Sequence, residues 1–205
     1  MLPDTARAAG FYGKLPARGD FVGVGLPAAV TRVWHAVVSG GLHAARGHFG
    51  DRWPQVWMTA PVWRFAMPAE SCGPAPLLGL WMPSVDRAER YFPLLLATTC
   101  PGASPEHMVR RGGGWLDAAE DAGRAALEDD LNPDALAAQI PPPPELDTEP
   151  DIGRPLSAPA SATAALWWTE GAPLVPAQMA RLHGLPDPAI FIAMLEGGIV
   201  ARPDA

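Results

Sequence analysis

The sequence predicts an α/β fold, a three-layer α-β-α sandwich around a mixed β-sheet, in a single domain that carries a Pro-rich loop. First, segments patterned like strands alternate with segments of helical periodicity, as in layered α/β domains. Second, a chain of 205 residues with 48% apolar and 18% charged residues can form one domain with a sizeable core. Third, residues 91–99 form a near-continuous apolar run, which is typical of a central strand covered on both faces.

The first hundred residues combine short strands with one long helix. A strand is predicted over residues 10–15, and Pro16 ends it before a turn-forming Arg-Gly-Asp. Residues 27–46 are predicted to be helical because apolar side chains recur every three or four positions, although a Gly-Gly pair at 40–41 weakens the second half. Residues 53–58 fit either a helix or a strand. Further strands are predicted over residues 62–67, 77–82 and 91–99.

The second half begins with predicted helices over residues 105–112, 115–130 and 134–139. Residues 140–162 are rich in Pro, Ser and acids, which predicts an extended loop or arm. A strand over 164–169 and short closing helices over 176–182 and 188–195 then return to the same domain.

These segments predict the domain organisation. We expect a flexible N-terminus at residues 1–9, one domain over 10–200 and a tail at 201–205. The Pro-rich loop or arm, residues 141–162, lies within that domain.

The composition indicates the cellular compartment and excludes some classes of ligand. The longest apolar stretches are far shorter than the roughly 20 residues that cross a bilayer. The N-terminus lacks the apolar region of a signal peptide, so we expect a cytoplasmic protein without direct membrane insertion. In that reducing compartment Cys72 and Cys100 are expected to be free thiols. A net charge of −7 without a basic stripe argues against nucleic acid binding.

The charge is distributed unevenly along the chain. Residues 1–100 carry nine basic and six acidic side chains, a net charge of +3. Residues 101–205 carry six basic and sixteen acidic side chains, a net charge of −10. One interpretation is a mildly basic face and an acidic face that orient a protein partner. The alternative is a solvated acidic helix.

Motifs for common cofactor chemistry are incomplete. The Gly-Lys pair at 13–14 lacks both the upstream Gly and the following Ser or Thr of a phosphate-binding loop. Gly-Val-Gly at 23–25 lacks the third Gly of a dinucleotide fingerprint. The spacings of His35, His43 and His48 fit no strong zinc pattern. We therefore expect neither a cofactor nor a metal.

Ser84 and Asp86 have two interpretations, as members of a catalytic or ligand-binding site or as structural residues of a turn. With Lys14 they could form the site of a small α/β hydrolase or a ligand-binding domain, but the sequence has no GxSxG elbow and no His in a motif that marks a base. In the other interpretation Asp86 supplies hydrogen bonds to a turn between two strands and pairs with Arg87 or Arg90.

Three motifs that mix charged and aromatic residues carry a family resemblance. They are GKLPARGDF at 13–21, PVWRF at 61–65 after Trp53, and PSVDR at 83–87 with RYFPL at 90–94. In order and spacing they resemble the motifs of the type VI secretion-associated TagF family. Leu-Trp-Trp at 166–168 and Gly-Leu-Pro at 184–186 resemble its C-terminal elements.

The chain departs from the family pattern at two places. The family tends to have a basic residue where Gly-Val-Gly stands at 23–25, and a Gly where Glu89 stands. Both departures bear on the conformation of a loop.

The resemblance implies a cytoplasmic α/β sandwich that acts as a non-enzymatic, post-translational repressor of type VI secretion. Members of the family are thought to bind the forkhead-associated scaffold protein of the secretion system. The implied mechanism is sequestration of that scaffold, with other secretion components as possible further partners, and it needs no cofactor and no catalytic residue. A structural accessory subunit of the apparatus is an alternative.

The same motifs supply the candidate partner-binding residues, which form either a docking face or an internal brace. Asp86 with Arg87 or Arg90, and Asp20 with Arg18, are natural internal pairs. The full set is Lys14, Arg18, Asp20, Trp63, Arg64, Ser84, Asp86, Arg87 and Arg90.

Overall fold

The computed structural model of the chain describes residues 7–146 and 164–199. Its strands are β1 (Ala9–Gly13), β2 (Val22–Val24), β3 (Trp63–Met67), β4 (Leu77–Met82), β5 (Leu94–Thr99), β6 (Ala165–Thr169) and β7 (Gln178–Leu182). Its helices are α1 (Ala28–Phe49), α2 (Trp53–Met58), α3 (Pro105–Arg111), α4 (Gly113–Glu128), α5 (Pro133–Gln139) and α6 (Pro188–Leu195). The predictions for residues 1–6, 147–162 and 201–205 lie outside the described residues.

The strands form one sheet in the order β2-β1-β5-β4-β3-β6-β7. Every neighbouring pair is antiparallel, so the prediction of a mixed sheet is wrong. The central strands β3, β4 and β5 are joined by connections of nine and eleven residues. A parallel pair needs a crossover of a dozen or more residues, usually with a helix, whereas connections of this length return the chain in the antiparallel sense.

Helices cover both faces of the sheet and create two hydrophobic cores. Helices α1, α2 and α6 pack on one face, and α3, α4 and α5 pack on the other. Alternate side chains of β3 enter different cores, since Trp63, Phe65 and Met67 lie in the first and Ala66 lies in the second. The predicted α/β class and the three layers are therefore confirmed.

The segment over 176–182, predicted as a closing helix, is the edge strand β7 instead. Its burial alternates, with Ala180 and Leu182 buried while Arg181 is exposed. That two-residue period is the pattern of a strand with one buried face. Five residues without a β-branched side chain gave too little signal to separate the two interpretations.

Other boundaries differ from the prediction in smaller ways. Residues 53–58 are the helix α2, and α1 continues to Phe49. Strand β5 begins at Leu94 because Pro93 has no N–H for the ladder, and Tyr91 makes only an isolated bridge to Val85. The short strand β2 was not predicted.

Both cysteines are buried and free, as predicted, and they lie on opposite sides of the sheet. Burial raises the pKa of each thiol to about 12, which keeps both thiols protonated at neutral pH. Among the described helices, none combines the length and apolarity needed to cross a membrane.

Adjacent glycines in α1 are expected to respond oppositely to the same substitution. A Cβ at Gly41 would lie 2.5 Å from Cγ of Phe191 on α6, whereas a Cβ at Gly40 would meet nothing within 4 Å. Gly41→Ala should therefore lower the free energy of unfolding by about 1–3 kcal/mol through overpacking. Gly40→Ala should raise it by about 0.5–1 kcal/mol because Ala is the better helix former. Urea unfolding of both variants tests this packing of α6 on α1, and changes of the same sign would contradict it.

Candidate functional site

Two turns that lie far apart in sequence are bound together at one end of the sheet. The first follows β1 and the second joins β4 to β5. The Arg87 amide donates to the Arg18 carbonyl at 3.1 Å, and the Ser84 hydroxyl donates to the Lys14 carbonyl at 2.8 Å. We call residues 14–20 and 84–90 the paired turns.

The Asp86 carboxylate, whose side chain is fully buried, lies at the centre of the paired turns. Its Oδ1 accepts from the backbone amides of Ala88 at 2.8 Å and Arg90 at 2.9 Å. Its Oδ2 accepts from Arg90 Nε at 2.8 Å and from the Lys14 ammonium. Burial by itself would raise the pKa of Asp86, but these donors outweigh burial and hold the pKa well below its usual range.

Lys14 and Arg90 extend this network to the first turn. The Lys14 ammonium is buried and lies 4.6 Å from the centroid of the Phe21 ring, a cation–π contact. Arg90 reaches across to donate from Nη2 to the Gly19 carbonyl. The carboxylate thus joins both turns through two cations. Lys14 and Asp86 form a buried brace, and the exposed Arg90 side chain extends it to the first turn.

Glu89 occupies the place where the family tends to carry Gly, and its backbone has φ of 58°. That left-handed conformation costs a side-chain-bearing residue about 1–2 kcal/mol. The turn keeps it because the Glu89 amide donates to the Asp86 carbonyl at 2.9 Å while the two flanking amides are bound by the carboxylate.

The remaining charges of the paired turns are exposed. Arg18, Asp20 and Arg87 all present their side chains to solvent. Among the described residues none of the three has an ion-pair partner, so the expected pair of Asp20 with Arg18 does not form. Of the two expected partners of Asp86, Arg90 binds it and Arg87 does not.

Trp63 and Arg64 belong to other parts of the molecule. The Trp63 indole is buried in the first core and donates to the Met194 carbonyl at 2.9 Å. Arg64 points to the opposite face of the sheet, where Nη2 lies 2.9 Å from both Glu120 and Asp117 of α4. The structure therefore brings together Lys14, Ser84, Asp86 and the arginines of the turns, and it places the second motif elsewhere.

Ser84 has the contacts of a structural residue rather than of a nucleophile. Its hydroxyl is buried and donates to the Lys14 carbonyl, while its own carbonyl accepts from the Trp57 indole at 3.1 Å. A catalytic serine needs a base to accept its proton, and here that proton is directed to a backbone oxygen. The geometry gives the hydrolase alternative no support.

An aromatic cluster beside the paired turns was missed by the sequence analysis. Phe21 stacks on Tyr12 with ring centroids 5.8 Å apart, and it lies 4.8 Å from both His35 and Phe92. The Tyr12 hydroxyl and His35 Nδ1 share a hydrogen bond of 2.8 Å. The available signal was the aromatic residues at the two ends of the first motif, with Tyr12 directly before it and Phe21 as its last residue.

The cluster borders a surface pocket of about 300 Å³ between β1 and α1. Tyr12, Thr31, Arg32, His35 and Ala36 line it. Burial raises the pKa of Tyr12, so its phenol remains protonated over the physiological range. Within the described ranges no group of three or more His, Cys, Asp or Glu side chains could hold a metal ion.

Removing the Asp86 carboxylate should destabilise the fold in a graded way. Asp86→Ala leaves the Lys14 ammonium buried without a partner and should lower the free energy of unfolding by about 3–5 kcal/mol. Asp86→Asn should cost less, because its amide oxygen still accepts from the Ala88 and Arg90 amides. Urea unfolding at neutral pH would rank the three proteins, and equal losses in both variants would show that the backbone acceptor contributes nothing.

The same unfolding experiment at acid pH measures how much the negative charge of Asp86 contributes to the free energy of unfolding. Because the folded-state pKa of Asp86 lies below the ordinary value near 4, its contribution is complete above about pH 4 and is lost as the pH falls toward the folded-state pKa. Between about pH 5 and about pH 2.5 the wild type should therefore lose more stability than Asp86→Asn.

Comparison with known proteins agrees with the motifs. Residues 10–141 match the family described as the TagF N-terminal domain, type VI secretion system-associated. None of the curated proteins searched matches the chain. Its fold is similar to the 2.05 Å crystal structure of PA0076 from Pseudomonas aeruginosa PAO1, with a TM-score of 0.81 and 31% sequence identity over 96% of this chain and 98% of that one. The chain therefore belongs to the TagF family of type VI secretion system-associated proteins.

Proposed function

We propose that this protein is a non-enzymatic, post-translational repressor of type VI secretion that binds the forkhead-associated scaffold protein and holds it away from assembly. Membership of the TagF family carries this proposal. In support, the buried polar residues of the family motifs are bound to one another and to backbone groups, which is how a rigid binding platform is built.

The paired turns are the proposed docking face. Arg18 and Arg87 lie on adjacent backbones, joined by the hydrogen bond between them, and both guanidinium groups face solvent. A guanidinium held in this way can donate two parallel hydrogen bonds to a partner carboxylate, and little entropy is lost because its backbone is already fixed. The buried Asp86 and Lys14 contribute indirectly, because they hold the two turns in place.

We place this action in the cytoplasm. The two buried free thiols fit a reducing compartment, where disulfides rarely persist. No role in this proposal requires a membrane-embedded segment or a cofactor.

A binding assay between the purified chain and its host's forkhead-associated scaffold tests the proposal. Arg87→Glu should weaken binding by roughly tenfold or more, because it puts a negative charge on the docking face that repels the partner's carboxylates. Arg111→Glu is the matched control, since Arg111 is also exposed but lies at the end of α3 on the other face of the sheet. Circular dichroism and urea unfolding would establish that both variants are folded.

Three results would contradict the proposal in different ways. Absence of binding by the wild type would exclude sequestration of this scaffold. Equal weakening by both variants would move the interface away from the paired turns. Stable co-purification with sheath or baseplate components would instead favour a structural accessory subunit.

A further inference from the structure

We propose that the pocket between β1 and α1, together with Arg32 in its lining and the exposed arginines of the paired turns, is a docking site for an acidic segment of the partner that carries one apolar anchor residue. This inference rests on the proposed function and names the chemistry of the partner. We call the pocket with Phe21, Arg18, Arg32 and Arg87 the arginine–aromatic surface.

The apolar part of this surface is exposed but held in place. Phe21 is 41% exposed, although its ring contacts Tyr12, His35 and Phe92 and lies against the Lys14 ammonium. A large aromatic ring that keeps so much of its area in water while its position is fixed loses little entropy when a partner covers it. Such rings are typical of the anchors of protein interfaces.

The pocket beside Phe21 fits one side chain rather than a cofactor. Its volume of about 300 Å³ is at the lower end of the range for ligand sites, and the pocket is open to solvent. Tyr12 and His35 offer ring surface to an apolar side chain, while Arg32 stands at the rim. An apolar residue flanked by acids could pack on the two rings while its neighbouring carboxylates pair with Arg32.

The charges of Arg32 and of the paired turns favour an acidic partner segment. Four exposed cations lie here: Arg18, Arg32, Arg87 and Arg90. The exposed acids of the paired turns are only two, Asp20 and Glu89, because Asp86 is buried. The whole chain has a net charge of −7, so an area of positive charge is unusual on this protein. Opposite charge steers association and fixes orientation, whereas a basic segment would be repelled here.

The first test uses a probe that does not depend on the scaffold. A short fluorescein-labelled peptide of glutamates around a central leucine is titrated with the full chain and followed by fluorescence anisotropy. Binding should weaken by at least about fivefold between about 50 mM and about 300 mM NaCl. Matched peptides with serine for the leucine, or lysines for the glutamates, should bind at least about fivefold more weakly.

Variants locate the binding on the protein. Ala36→Trp places a large ring in the pocket from an exposed helical position, so it should weaken binding by roughly fivefold. Arg32→Glu should weaken it by roughly tenfold, and Arg111→Glu should leave it unchanged. Equal binding by the leucine and serine peptides, or an equal loss in all three variants, would overturn the inference.

The same variants against the scaffold separate this inference from the proposed function. If the scaffold binds and both Ala36→Trp and Arg32→Glu keep full affinity, the arginine–aromatic surface is not its docking site, although the repressor proposal survives. If the scaffold does not bind but the acidic peptide does, with the expected variant effects, the surface stands and the choice of partner is wrong.

Discussion

The Asp86 carboxylate lies out of water and would be costly to bury if its oxygens were not fully occupied. Four donors occupy them, two backbone amides of its own turn and two cations from the paired turns. Because Lys14 directly follows β1 and Arg90 reaches Gly19, the carboxylate connects the loop between β4 and β5 to the loop that leads into β2. The position of Phe21, and hence of the aromatic cluster, depends on that connection.

The family motifs therefore have two physical roles. Their buried members, Lys14, Ser84 and Asp86, satisfy one another and the backbone. Their exposed members, Arg18 and Arg87, stand on a fixed backbone and have no ion-pair partner among the described residues. Arg64 has neither role at this place, since it ties β3 to α4 on the opposite face. A rigid platform that presents exposed guanidinium groups suits recognition, which needs shape and charge more than reacting groups.

Sequence periodicity predicted most of this fold because burial on a sheet or a helix leaves a local pattern. Residues 77–82 are strand β4 as predicted, and the long amphipathic helix α1 was found within three residues at its end. Strand direction and β7 were not predicted correctly, because direction depends on connection lengths and β7 carries few strand-forming residues.

The site was predictable only where its contacts are local. The pairing of Asp86 with Arg90 spans four residues and was one of two pairings expected for Asp86, whereas its contact with Lys14 spans seventy-two and was expected only in the hydrolase or ligand-binding alternative. The contact of Tyr12 with His35 joins a strand to a helix, and no spacing within either element indicates it. Contacts of this kind are set by the order of elements in the sheet, which the sequence patterns did not specify.

The most direct test of this account is hydrogen–deuterium exchange of the chain, alone and bound to its forkhead-associated scaffold. Amides of a docking face become more protected on complex formation, while amides remote from it keep the exchange rates of the free protein. We expect new protection in residues 15–24, 31–36 and 84–91 and none in helices α3 and α4. New protection confined to α3 and α4, or to β7, would contradict the placement of the binding face on the paired turns and the aromatic cluster.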